Sequence, residues 1–192
     1  MSEPAVFLDR DGTLIEEVGY LDRPERVELY PYSAAAIRAL NRAGVRLVLV
    51  TNQSGVARGF FTESVVEAVH AHIELLLRNA GAHLDAYYYC PHHPDGKVAE
   101  YARVCDCRKP GRGLVDRAIA ELGVDPARSF TVGDRWLDVA LARSIGARGI
   151  LVRTGYGLTE ETRPVDGLKA DAVVDNLVAA ASWILGRLKS GS

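Results

Sequence analysis

The chain has 192 residues, enough for one domain that buries about 70% of its unfolded surface. Its 23 Lys and Arg against 25 Asp and Glu leave a formal charge of −2, which excludes the basic field that drives nucleic-acid binding. No apolar run nears the ~18 residues of a membrane span and the N-terminus lacks a basic-then-apolar leader, so the expectation is a cytoplasmic protein with neither nucleic-acid nor membrane partners.

In chain order, Ala5 to Leu8 reads as a short buried strand that runs into Asp9, Asp11 and Gly12. The strand period of two points both carboxylates the same way, and Gly12 lets the chain turn. Two carboxylates so close need a cation or divided tasks: one attacks phosphorus or holds a metal while the other carries a proton. A polar segment follows over residues 13–31, with turns at Gly19, Pro24 and Pro31. Ser33 to Arg42 reads as a helix capped by Gly44, and Val45 to Val50 as a strand buried on both faces. Directly after it stand Thr51, Asn52, Gln53, Ser54 and Gly55, which suit a phosphate cradle and equally suit a polar turn.

Thr62 to Asn79 is predicted as a long helix with Thr62 as N-cap, and Ala86 to Tyr89 as a third strand. A loop then runs to about Pro110 and ends on Arg108-Lys109-Pro110. A lysine there can neutralise an attacking carboxylate and a transferring phosphoryl group together. Leu114 to Leu122 is a helix stopped by Gly123, and Ser129 to Val132 a strand that enters Gly133-Asp134. Asp134 suits magnesium held with substrate phosphate, or a helix cap, and Asp138 one turn on faces the same side. A helix from Trp136 to Ile145, strands from Gly149 to Val152 and Ala172 to Val174, and a helix from Leu177 to Leu188 complete the chain, with residues 190–192 as a tail. Such alternation predicts a single α/β domain over residues 1–192, a doubly wound parallel sheet with helices on both faces. Ligands bind such sheets at the carboxyl ends of the strands, where the four polar motifs recur.

The three cysteines lie between positions 90 and 107, too clustered and too odd in number for a disulfide framework. Cys90-Pro-His92-His93 and Cys105-Asp-Cys107 form two close pairs across a loop, and three thiolates with one imidazole suit a closed, structural zinc site. Since Cys107 abuts Arg108-Lys109, the zinc is expected to fix where those cations point. His70, His72 and His83 have no second ligand nearby and read as solvated or hydrogen-bonded.

DRDGT, TNQSG, CRKP and GDRWLD resemble the four motifs of the haloacid dehalogenase (HAD) superfamily of phosphatases, within it the branch of heptose bisphosphate and histidinol-phosphate phosphatases. The resemblance runs from about Ala5 to Leu188. It implies a HAD-like Rossmannoid fold, with Asp9 as a nucleophile that forms an aspartyl-phosphate and Asp11 as acid and base. Thr51 and Lys109 steady the phosphoryl group, while Asp9, the Asp11 backbone carbonyl and Asp134 hold magnesium. That branch carries the same Cys-x-His…Cys-x-Cys zinc loop, which supports His92 over His93 beside Cys90, Cys105 and Cys107. The substrate-binding set is Asn52, Gln53, Ser54, Arg108, Glu17, Tyr20 and Arg135. Arg135 stands where the heptose branch usually has lysine, and a guanidinium changes reach and geometry.

Residues 13–44 hold only a loop and a helix, and 56–107 a helix, a strand and the zinc loop, so neither forms a cap domain and an open site is expected, roofed by the zinc loop and the segment from Glu16 to Tyr20. Arg58, Arg103, Arg108 and Arg112 are candidates to grip a second handle on the substrate. The resemblance favours a magnesium-dependent phosphatase acting on C7 of a small phosphorylated sugar, heptose 1,7-bisphosphate, in lipopolysaccharide biosynthesis, and the open site and lone domain suggest a monomer. Histidinol phosphate is the alternative. An end-processing nucleic-acid phosphatase conflicts with the net charge, and a silent interaction module with the intact Asp9, Asp11, Lys109 and Asp134.

Overall fold

The structure, a computed structural model, describes residues 2–190. Its six strands are β1 (Ala5–Leu8), β2 (Arg46–Asn52), β3 (Ala86–Cys90), β4 (Phe130–Gly133), β5 (Arg148–Val152) and β6 (Ala172–Val174). All pair in parallel in the order β3-β2-β1-β4-β5-β6. The order reverses between β1 and β4, and a crevice opens at that switch point beyond the strand ends. Asp9 extends β1 into it, its N–H donating to Val132 O at 2.9 Å.

Side chains alternate between two cores. Val6, Leu8, Leu47, Leu49, Phe130 and Val132 face α1 (Ser33–Arg42), α2 (Glu63–Asn79) and α6 (Leu177–Ser190). Ala5, Phe7, Val48 and Val50 face α3 (Gly113–Leu122) and α4 (Trp136–Ile145). The sheet is thus covered on both sides, which is why its strands read as unbroken apolar runs. Gly44, at φ +70°, ends α1: its N–H reaches Asn41 O at 3.0 Å and that of Val45 reaches Leu40 O at 3.3 Å.

Several expected boundaries shift. β2 continues through Thr51 and Asn52, which pair with Tyr89 and Cys90, so the second motif begins inside the strand. Thr62 occupies the N-cap position of α2, yet its hydroxyl meets Ser64 Oγ at 2.7 Å rather than a helix N–H. A short helix α5 (Gly157–Glu161) occupies a stretch without predicted structure, because five residues are too few to show a helical period. Ser190 closes α6, so the expected tail begins a residue later, and residues 191 and 192 lie outside the described residues.

No domain is inserted between β1 and α1, where the chain makes one 3₁₀ turn (Pro24–Arg26), or between β2 and β3, where α2 is the only helix. Ile15 bridges to Leu29, so residues 13–31 fold back beside the crevice as a small flap. Among the described residues no helix is long and apolar enough to cross a membrane.

Candidate active site

Three strand ends and one loop meet at the crevice. Lys109, carried by the loop before α3, is buried, and its Nζ lies 2.7 Å from both Asp9 Oδ1 and Asp138 Oδ1. Burial works against its charge, but Asp138 and Asp9 outweigh that and hold its pKa above the ordinary lysine value. The loop is pinned by Asn52, whose Nδ2 donates to Lys109 O at 3.2 Å and whose Oδ1 accepts from Lys109 N at 2.9 Å. Asn52 therefore spends its amide on placing the lysine, while still lining the cleft.

Asp134 follows β4 and is almost fully buried, with Oδ2 accepting from Tyr156 N at 2.8 Å. Gly12 and Gly155 press against it from two loops, both at positive φ, and a Cβ on either would run into its carboxylate. Burial and the Asp9 charge push its pKa up to about 8. Candidate ligand oxygens of Asp9, Asp134 and Asp138 all lie within 4.8 Å of one another. Ionised together, the three carboxylates would leave two net negative charges against the Lys109 ammonium in a buried space, which is why burial and the Asp9 charge raise Asp134, and Asp138 Oδ2 has no hydrogen-bond partner. A hard divalent cation fits that donor set and balances the charge. Asp138 thus belongs to this cluster, beyond the magnesium set expected from sequence.

Asp11 sits at the edge of the same space, gripped by its neighbour. Arg10 Nε donates to Asp11 Oδ2 at 3.1 Å and Arg10 Nη2 to Asp11 Oδ1 at 3.1 Å. Gln53 Nε2 donates to Asp11 Oδ2 at 3.0 Å and to Thr51 Oγ1 at 2.9 Å, while Gln53 Oε1 accepts from Arg10 Nη2 at 2.9 Å.

These groups open into a cleft of about 310 Å³ lined by Asp9, Asp11, Thr51 and Lys109. All seven residues expected to bind substrate line it too: Asn52, Gln53, Ser54, Arg108, Glu17, Tyr20 and Arg135. Glu17 accepts from Gly19 N at 2.6 Å, and burial together with Asp11 raises its pKa. Tyr20 packs on Phe60 with ring centroids 4.4 Å apart, and the Arg135 guanidinium lies 4.0 Å over the Tyr156 ring. Arg58, His93 and Arg108 add positive and hydrogen-bonding groups to the lining. Arg58 Nη2 is 3.3 Å from His93 Nε2, and Arg58 Nε is buried with no partner.

Two arginines grouped with these do not reach the cleft. Arg112 pairs with Asp116 on the exposed face of α3, and Arg103 Nη2 lies 2.7 Å from His92 Nε2. Asp116 answers the Arg112 charge and the His92 ring engages Arg103, local partners that spacing along the chain could not reveal.

Behind the Arg108 wall, Cys90, His92, Cys105 and Cys107 converge. Cys107 Sγ lies 3.1 Å from Cys90 Sγ and 3.2 Å from Cys105 Sγ, and His92 Nδ1 lies 3.3 Å from Cys107 Sγ. A zinc at about 2.3 Å from each sulfur sets sulfurs about 3.8 Å apart, so the cluster needs only slight expansion to close round one ion. Burial raises the Cys90 and Cys107 thiols, a cost that a cation reverses by stabilising thiolates. The donor set fits zinc, with one adjustment. A guanidinium only donates, so Arg103 faces a lone pair on His92 Nε2; a metal on Nδ1 moves the proton to Nε2 and displaces Arg103.

Known proteins resemble this chain over nearly its whole length. The HAD-hydrolase-like family matches residues 106–180. D-glycero-beta-D-manno-heptose-1,7-bisphosphate 7-phosphatase of Yersinia pestis is 42% identical over 97% of this chain and 92% of its own length. D-glycero-D-manno-heptose-1,7-bisphosphate 7-phosphatase of Thermosynechococcus vestitus is 44% identical over 98% of both chains. The chain belongs to the heptose-bisphosphate phosphatase family of HAD-like hydrolases. Within this family, the crystal structure of the D,D-heptose 1,7-bisphosphate phosphatase from B. bronchiseptica, complexed with magnesium and phosphate, superposes with a TM-score of 0.84 at 33% identity, covering 96% of this chain and 99% of that one.

Arg10 had no assigned role in the sequence reading, and His93 entered it only as the less favoured neighbour of His92; Arg58 was expected to grip a second handle and does line the cleft. Strand alternation turns Arg10 away from Asp9 and Asp11, and only its position between two acids hinted otherwise.

Proposed function

We propose that this phosphatase removes the C7 phosphate of D-glycero-D-manno-heptose 1,7-bisphosphate through an aspartyl-phosphate on Asp9. The observation that carries the reading is that Asp9, Asp11, Thr51 and Lys109 line one cleft whose walls hold Arg58 and Arg108. A bisphosphate offers one phosphate to the acidic floor and a second to those cations.

Asp9 attacks phosphorus while Lys109, 2.7 Å from its Oδ1, neutralises the developing charge on the phosphoryl oxygens. Thr51 and the backbone after it orient those oxygens. Asp11 gives a proton to the departing sugar oxygen, then takes one from the water that cleaves the aspartyl-phosphate. Asp9, Asp134 and the Asp11 carbonyl would hold magnesium, which supplies charge neutralisation for the approach of two anions. Cys90, His92, Cys105 and Cys107 would hold a structural zinc that orients Arg108 and Lys109. The single domain and the open cleft support action as a monomer, and the substrate class supports a cytoplasmic place in surface-sugar synthesis.

Histidinol phosphate carries an ammonium where the bisphosphate carries its second anion. Arg58 and Arg108 repel it, and Glu17 is the acidic side chain of the lining beyond the Asp9–Asp11 floor. Magnesium-dependent phosphate release from the α and β heptose bisphosphates and from histidinol phosphate tests the reading. The expected result is a kcat/KM advantage of about 100-fold or more for a bisphosphate. Preference for histidinol phosphate would overturn the substrate and leave the chemistry standing.

A further inference from the structure

Among the described residues Arg10 is the largest side chain with almost no solvent exposure, and it lies inside the active site rather than in an apolar core. A buried guanidinium survives only with its donors matched. Nε and Nη2 go to Asp11, Nη2 also to Gln53 Oε1, and Nη1 faces His70 Nε2 at 3.5 Å. His70 comes from α2, is itself buried, and is flanked by the rings of Tyr87 and Tyr89 at 5.5 and 5.7 Å. Because arginine only donates, the ring presents a lone pair to it, and burial together with the Arg10 charge pushes the His70 pKa down to about 3.

The grip on Asp11 is directional. Oδ2 receives Arg10 Nε and Gln53 Nε2, whereas Oδ1 receives Arg10 Nη2 alone. Both the plane of the carboxylate and the oxygen with a spare lone pair are thereby fixed. Gln53 extends the same chain to Thr51 Oγ1, which ties the orientation of Asp11 to the phosphate cradle.

The geometry points to Arg10, backed by His70 and bridged by Gln53, as the positioning residue that aims Asp11 Oδ1 at the departing sugar oxygen. This rests on the reading of Asp11 as the acid and base. In the first step the Asp9–phosphorus bond forms, the phosphorus–sugar oxygen bond breaks, and the proton on Asp11 Oδ1 passes to that oxygen. In the second, water attacks phosphorus, the Asp9–phosphorus bond breaks, and the water proton returns to Asp11. Misaiming Asp11 harms the first step in proportion to the substrate's need for that proton. A sugar alkoxide needs it; p-nitrophenolate leaves without it.

The test compares kcat/KM, which reports the leaving-group step, on the heptose bisphosphate and on p-nitrophenyl phosphate. Arg10→Lys keeps a buried cation but loses the fork. The expected result is a loss of about 10²-fold on the bisphosphate, with less than about tenfold on p-nitrophenyl phosphate. His70→Leu should show the same selective pattern more weakly and His70→Gln, which retains an acceptor, should restore it; this pair answers the question if Arg10→Lys fails to fold. Equal losses on both substrates would overturn the positioning role. Asp11→Asn is the control: if it loses both activities equally, the acid reading itself fails.

Discussion

Lys109 Nζ and Asp9 Oδ1 stand 2.7 Å apart across 100 residues of sequence, with Asp138 on the other side of the ammonium. Lys109→Met leaves two carboxylates facing each other in a buried space. Loss of kcat by at least about 10²-fold is expected, with a stability loss of about 3–5 kcal/mol in urea unfolding. Wild-type turnover in Lys109→Met would remove the lysine from the chemistry.

Asn52 makes both of its amide bonds to the Lys109 backbone. Asn52→Ala should cost about 1–2 kcal/mol of stability and lower kcat about tenfold or more as the ammonium drifts. A change confined to KM would instead assign Asn52 to substrate contact.

Arg58 holds a buried Nε without a partner beside the cleft. Removing one charge-assisted contact costs about 1.5–3 kcal/mol. Arg58→Ala should therefore raise KM for the bisphosphate about tenfold or more and leave p-nitrophenyl phosphate unaffected. Equal effects on the two substrates would move Arg58 out of recognition of the second phosphate.

The zinc cluster is open to direct assay. Elemental analysis should find one zinc per chain, and Cys105→Ser should release it and lower both Tm and turnover. Full turnover without zinc would separate the cluster from the placing of Arg108 and Lys109.

His70 gives a pH signature with a definite sign. Its folded pKa, about 3, lies below the ordinary 6.5, so the unfolded chain binds the proton more readily. The stability that the neutral ring allows is present above pH 6.5 and is lost as pH falls toward 3. The unfolding free energy of wild type, from urea titrations, should fall more steeply across that window than that of His70→Gln, by a few kcal/mol in total. Parallel slopes would mean that His70 is protonated in the fold.

Elements that rest on local pattern were legible in the sequence. The pair Asp9 and Asp11 followed from an apolar run and a period of two, and the Cys90–Cys107 cluster from paired spacing that packing does not require. Side chains defined by distant partners were not. Nothing near Asn52 signals that its amide will hold the backbone of Lys109, 57 residues away. Arg10 is instructive because alternation sent it to the opposite face, whereas a long side chain at a strand end can fold back once two carboxylates and a glutamine offer matched acceptors. Arg103 and Arg112 failed for the complementary reason, since nearer acceptors captured them first.

The absence of an inserted domain over the crevice has a kinetic consequence. Many enzymes enclose their substrates and then spend turnover time on opening and closing. A mouth without an inserted lid domain has no such door to wait for, so retention rests on adhesion at a second point on the ligand. Small phosphate esters that lack this point will come and go at diffusion-governed rates and be tolerated rather than rejected. Selectivity here is a matter of dwell time.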